Sequence, residues 1–152
     1  MQPLNFPDYE FRFKGNENDF FIFDIVRKKF VPLKPEEWVR QHVIMFLFND
    51  KGYPLQLLSV EKQLIINKMQ KRYDLVGYFP NGKINLVVEC KAPTVEITQE
   101  TFDQIARYNM ILKANYLMVT NGINHYYCEM DYKNEKYVFK KNIPKYKFKK
   151  EQ

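Results

Sequence analysis

At 152 residues the chain fits a single domain and is long enough to bury a substantial core. Its 24 Lys plus Arg against 18 Asp plus Glu leave a net charge of +6, which favours an anionic partner such as nucleic acid; a solvated tail fits equally well the part of the excess gathered at Lys140, Lys141, Lys145, Lys147, Lys149 and Lys150. Cys90 and Cys128 lack any Cys-x-x-Cys spacing, which argues against zinc, and with no basic-then-apolar leader and no run near ~18 uncharged apolar residues the expectation is a cytoplasmic protein without a membrane span.

Phe11-Arg12-Phe13-Lys14 alternates apolar with charged residues and predicts a short strand, turned at Gly15-Asn16, with a second strand around Phe20 to Ile25 completing an N-terminal β-ribbon. Pro35-Glu36-Glu37 opens a helix, because proline suits the first helical position and carboxylates suit the positive end of the helix dipole. That helix is expected to reach about Asn49 and stop near Gly52, buried on more than one side through Trp38, Val39, Val43, Met45, Phe46 and Leu47. Leu57 to Leu64 reads as a strand, Asn67 to Lys71 as its turn, and Tyr73 to Phe79 as its partner. Ala92-Pro93 ends the next strand, and Thr98 caps a helix running through Leu112 with Phe102, Ile105, Ala106 and Met110 on its apolar stripe.

Tyr116 to Thr120 follows as a strand, so strand, crossover helix and strand make a right-handed βαβ unit with its two strands parallel. Asn121-Gly122 turns into His125 to Met130, and Tyr137 to Lys140 adds an edge. The fold class is α/β, with a mixed sheet of meander plus crossover. Residues 1–33 form the N-terminal β extension, 34–140 the core and 141–152 a basic tail.

The chemistry gathers at one hairpin. Read as a two-residue turn, Asn81-Gly82 sets a register in which Asp74 falls opposite Glu89, with directly opposed side chains ~4.5–5.5 Å apart, where like charges repel. Lys91, two residues beyond Glu89, returns to the same side of the strand. An Asp, a Glu and a Lys converging at a strand end suit magnesium-assisted hydrolysis of a phosphodiester. The buried flanks Leu75-Val76 and Leu86-Val87-Val88 make unpaired carboxylates costly there, although a structural ion network of the same residues stays open.

Asp74 followed by Glu89-Cys90-Lys91 resembles the PD-(D/E)xK nuclease superfamily, and specifically the N-terminal nuclease domain of type I restriction enzyme R subunits. The resemblance is carried by Pro35-Glu36-Glu37-Trp38-Val39-Arg40-Gln41, Lys71-Arg72-Tyr73-Asp74, Val88-Glu89-Cys90-Lys91-Ala92-Pro93, Asp103-Gln104-Ile105-Ala106-Arg107-Tyr108-Asn109 and Thr120-Asn121-Gly122. It implies a restriction-endonuclease-like mixed β-sheet flanked by helices. It also implies Asp74 and Glu89 as ligands of Mg²⁺, or of Mn²⁺ as a substitute, and Lys91 as the group that positions the attacking water or stabilises phosphate charge. Glu36, four residues before Arg40 as in similar nucleases, is preferred over Glu37 as the helix carboxylate. Gln104 and Tyr108, one turn apart on a helix, match the Gln-x-x-x-Tyr motif that would hydrogen-bond the nucleic-acid backbone or orient catalytic groups.

The chain lacks a Gly-x-x-x-x-Gly-Lys phosphate loop, so neither ATP hydrolysis nor translocation is expected of it. The implied partner is DNA, with RNA not excluded and with a homodimer or separate motor and specificity subunits left open. The alternative is a non-catalytic nucleic-acid-binding module or a subunit of a restriction or repair assembly. His42 and His125 read as packing or surface residues and not as metal ligands, since neither has a second His at metal spacing. Lys71, Arg72 and Arg107 read as phosphate contacts or as surface cover, and the N-terminal aromatics as core, with stacking of a few exposed rings on unpaired bases as the alternative.

Overall fold

The computed structural model describes residues 1–148. Nine strands and two α-helices form within them. β1 (Phe13–Gly15), β2 (Phe20–Asp24) and β3 (Lys29–Pro32) make a small antiparallel sheet, and β4 (Leu58–Ile66) to β9 (Lys136–Lys140) make the main one. α1 (Pro35–Met45) precedes β4, and α2 (Gln99–Leu112) links β6 (Ile84–Cys90) to β7 (Tyr116–Thr120).

The main sheet keeps its six strands in chain order, with β5 (Met69–Tyr78) beside β4 and β8 (His125–Asp131) between β7 and β9. Only β6 and β7 are parallel, as a crossover through α2 requires. Alternation along the central strands feeds two cores. Leu75, Leu86, Val88 and Met118 pack with Val39, Val43 and Ile44 of α1. Val76, Val87, Leu117 and Val119 pack with Phe102, Ile105 and Ala106 of α2. The sheet is therefore covered by one helix on each face, and its central strands read as continuous apolar runs for that reason.

Four boundaries differ from the expectations. The N-terminal ribbon has a third strand, β3, because Lys28 at φ +55 turns the chain back and Val31 buries against the core. α1 loosens into a π-helical turn over Phe46–Asp50 before Gly52, whose φ of +71 suits a residue without a side chain. The β4–β5 turn is only Asn67-Lys68, both at positive φ, so the polar stretch Gln70-Lys71-Arg72 belongs to β5. Residues 141–148 are not a free tail, since Ile143 is buried and the Tyr146 amide donates to the Lys51 carbonyl at 2.8 Å; Lys149 and Lys150 lie outside the described residues.

The hairpin between β5 and β6 departs from expectation twice, and the departures cancel. Phe79 pairs with Lys83 around the three residues Pro80-Asn81-Gly82, not around a two-residue turn. That alone would set Asp74 against Val88. Asn85 then enters β6 as a bulge, so that Tyr78 faces Ile84 while Gly77 faces Leu86, and the register returns to Leu75 opposite Val88. Asp74 and Glu89 are next in line.

Candidate active site

Asp74 marks the point where β5 parts from its neighbours. Pairing with β6 ends at Leu75, and the Cys90 amide donates instead to Asp74 Oδ2 at 2.8 Å. On the other side Glu61 takes φ +52, and the Glu61–Asp74 pair is missing between Val60↔Leu75 and Lys62↔Tyr73. Residues two apart on a regular strand share a face. Here Tyr73 packs toward α2 and Leu75 toward α1, so the strand twists at Asp74 and delivers its carboxylate into the gap.

The carboxyls of Glu89 and Glu36 lie within the field of Asp74 there. Burial, then the Asp74 charge, pushes the Glu89 carboxyl up to about 8, with Lys71 and Lys91 pulling the other way. Its Oε1 is buried with no hydrogen-bond partner. Glu36, half exposed on the first turn of α1, is raised by burial and by Asp74, against Arg40 and Lys91. Lys91 follows β6, its amide bonded to the Thr120 carbonyl at 2.8 Å. Its positive charge acts on both Glu36 and Glu89.

Arg40 is the residue that the sequence pattern did not place in the site. Its Nη2 donates to Asp74 Oδ1 at 2.9 Å and to Glu36 Oε1 at 3.2 Å, and its Nη1 to Glu37 Oε1 at 2.9 Å. Burial opposes the Arg40 charge, but Glu37 and Asp74 outweigh it and raise its pKa. Glu37 is also held by Arg27 at 2.7 Å and by Gln41 at 3.3 Å. Asp24, wholly buried at the end of β2, accepts from Arg27 at 2.7 Å and from Gln41 at 2.9 Å. Glu61 reaches the outer guanidinium nitrogens of Arg27 and Arg40. The visible signals are Asp24–Arg27 and Glu37–Arg40–Gln41 at helical spacing, but only the fold joins them. Glu37 is thus saturated by cations, whereas Glu36 faces the gap.

Tyr108 lies one layer away: the Lys71 ammonium sits 4.6 Å from its ring centroid and 5.4 Å from that of Tyr73, whose own pKa is raised by burial and by Glu89. Gln104 is exposed and makes no hydrogen bond to the carboxylates; it lines a surface groove with Glu100, Asp103 and Arg107. His42 and His125 pack against Phe6, away from the site, and Cys90 is a buried free thiol.

Mg²⁺ takes one or two carboxylates and keeps several waters. Asp74 and Glu89 offer oxygens of that chemistry, and Glu89 Oε1 has no competing partner. Among the described residues no three His, Cys, Asp or Glu side chains close on one point, so this donor set fits an ion that completes its shell with water and not one enclosed by protein. Among the same residues no helix is long and apolar enough to cross a membrane.

The family model described as the type I restriction enzyme R protein N terminus matches residues 35–144, a span that begins at α1 and takes in Asp74, Glu89 and Lys91. Among solved structures, a fragment of a chain assigned as the HsdR subunit of a type I restriction enzyme from Vibrio vulnificus YJ016 is similar, with a TM-score of 0.50 and 21% identity. The alignment covers 74% of this chain and 24% of that one, so this chain corresponds to about a quarter of its relative. No curated protein matches.

Proposed function

The chain belongs to the family of type I restriction enzyme R protein N termini, and on that premise we propose that it is a Mg²⁺-dependent nuclease hydrolysing phosphodiester bonds in DNA. One observation carries the reading: a buried carboxylate oxygen of Glu89 without a partner, beside Asp74 and within the field of Lys91. An unpaired buried polar atom costs about 1–3 kcal/mol, which a cation held at that oxygen would offset.

In this reading Asp74 and Glu89 hold the ion, and Mn²⁺ substitutes for it. The ion supplies Lewis-acid polarisation of a phosphoryl oxygen and acidification of a water. Lys91 places its ammonium where negative charge grows on the phosphate and orients the attacking water. Glu36 faces the same gap from α1, able to accept a proton or orient a water. Asp74 is oriented for this work by Arg40 and by the Cys90 amide, which each donate to one of its carboxylate oxygens. Tyr108, through Lys71, and Gln104 flank the path of the strand. Other subunits of a restriction complex belong to the same proposal as partners.

The test is to incubate the purified chain with linear, circular and single-stranded DNA in Mg²⁺, Mn²⁺ or EDTA. Cleavage that needs the metal and disappears in Lys91→Ala is the expected result; cleavage by that variant at the parent rate overturns the assignment. Arg40 favours one other reading, a non-catalytic DNA-binding module, because it already neutralises Asp74 and Glu36 without any metal. A salt-sensitive gel shift with intact DNA in all three conditions would select it.

A further inference from the structure

Beyond the Leu75–Val88 pair, β4 and β5 continue alone as a two-stranded ribbon from Lys62↔Tyr73 to Ile66↔Met69. Five residue pairs at ~3.4 Å each extend about 17 Å. One face, with Leu64, Ile66 and Tyr73, packs toward α2. The other carries Gln63, Ile65, Gln70 and Arg72, all exposed, with Lys68 at the turn and Ile65 73% exposed. No Asp or Glu occurs from Lys62 to Tyr73. Among the described residues none of Lys62, Lys68, Lys71 or Arg72 is in an ion pair.

We infer that this ribbon is a DNA-binding arm that lies in a groove of the duplex next to the scissile phosphate. The inference rests on the nuclease reading for the position of that phosphate, two residues from Arg72 at Asp74. Three observations select duplex DNA. The exposed charge, on Lys68 and Arg72, is positive and enters no ion pair among the described residues, which suits a polyanion. A two-stranded ribbon is one of the two elements that the ~12 Å major groove admits. Gln63, Gln70 and Arg72 are donors and acceptors of the kind that meet base edges and phosphates, on a face that no helix covers. Lys71 is turned the other way, over Tyr108, and takes no part.

The experiment measures fluorescence anisotropy of the full chain with a short labelled duplex in EDTA, between about 50 and 200 mM salt. Lys68→Ala/Arg72→Ala is compared with Lys133→Ala/Lys145→Ala, which removes the same charge from exposed sites elsewhere. The arm variant is expected to bind about tenfold more weakly, with a salt slope shallower by about 2, one unit for each phosphate that is no longer neutralised. The control pair is expected to bind like the parent. Equal weakening in both pairs, unchanged binding in the arm variant, or tighter binding of single-stranded DNA or RNA than of the duplex overturns the inference. Cleavage in Mg²⁺ is read separately. A parent that binds through the arm but cuts nothing sinks the nuclease reading and, with it, the arm's position beside a scissile phosphate, while the duplex-binding arm stands; a parent that cuts while the arm variant binds unimpaired sinks the arm alone.

Discussion

Arg40 Nη2 lies 2.9 Å from Asp74 Oδ1, so the carboxylate on which the proposed chemistry turns already has a cation, supplied by α1. The same guanidinium holds Glu36 and Glu37, and through Glu37 and Arg27 the charge network runs back to Asp24 in the small sheet. The N-terminal extension is therefore tied to the site electrostatically, although it lies outside the residues that the family model matches. Arg40 sets the direction of Asp74, and Glu89 keeps a free oxygen.

Arg40→Met tests how much this network holds the fold. The side chains of Arg40 and Glu37 are nearly buried, and removing one member of a buried ion pair costs about 3–5 kcal/mol because the other charges are left uncompensated. The loss is expected in urea unfolding, with partial recovery on adding Mg²⁺, since a cation bound at Asp74 restores positive charge there. A variant as stable as the parent would contradict the role assigned to Arg40.

Most of the main sheet was legible because its strands and α2 obey local rules: buried apolar runs, a Thr98 side chain accepting from the Thr101 amide, and a crossover between Cys90 and Tyr116. The register of Asp74 against Glu89 follows in the sequence from a turn that does not exist, and it holds because the Asn85 bulge offsets the longer turn. A bulge leaves little mark on local pattern, and Asn85 reveals its place only through tertiary bonds. Arg40 stayed hidden for a related reason. Its spacing to Glu36 and Glu37 is visible, but its bond to Asp74 spans 34 residues and exists only once α1 lies against the sheet.

Lys91 and the two carboxylates should separate in measurement. Losing one group that stabilises transition-state charge costs about 10²–10³ in rate, so Lys91→Ala should cut DNA that much more slowly while titration calorimetry still detects Mg²⁺ uptake. Asp74→Ala and Glu89→Ala should lose cleavage and Mg²⁺ affinity together. Mg²⁺ uptake unchanged in Asp74→Ala would remove Asp74 from the ion site.

Asn85→Ala probes the bulge. The Asn85 amide donates to the Tyr53 hydroxyl at 2.7 Å, and its carbonyl accepts from Asn115 at 3.0 Å. Tyr53 is buried with its ring against Gly77, where a Cβ would come within 3.0 Å of Tyr53 Cε1. The substitution strands a buried hydroxyl and half of another amide, a loss of about 1–3 kcal/mol. Chemical denaturation reads it directly, and a change below a few tenths would mean that the two bonds do not hold the bulge.

Acid should loosen the N-terminal segment before it unfolds the core. Asn5 O can only accept, so His125 Nε2, 2.6 Å away, carries the proton, and Nδ1 then accepts from the Thr120 hydroxyl at 2.7 Å. His42 donates from Nδ1 to the Trp38 carbonyl at 2.8 Å and packs beside Phe11 and Trp38. Phe6 lies against both imidazole rings. Burial lowers both histidines from the ordinary value of 6.5, against the Asn5 bond for His125 and against the Trp38 bond and Asp8 for His42. The unfolded chain therefore binds protons that the folded chain refuses. The histidine contribution to stability is full above about 6.5 and is lost as pH drops below it toward the folded values, whereas Glu89, raised to about 8, takes up a proton in the folded chain over the same range and acts in the opposite sense. The gap in urea midpoint between His42→Gln/His125→Gln and the parent should therefore move in favour of the variant from about pH 7.5 to about pH 5.5, with cleavage of the parent by protease near Phe6 and Tyr9 rising over the same range. A gap between variant and parent that does not change with pH would show that other groups control the acid response of this segment.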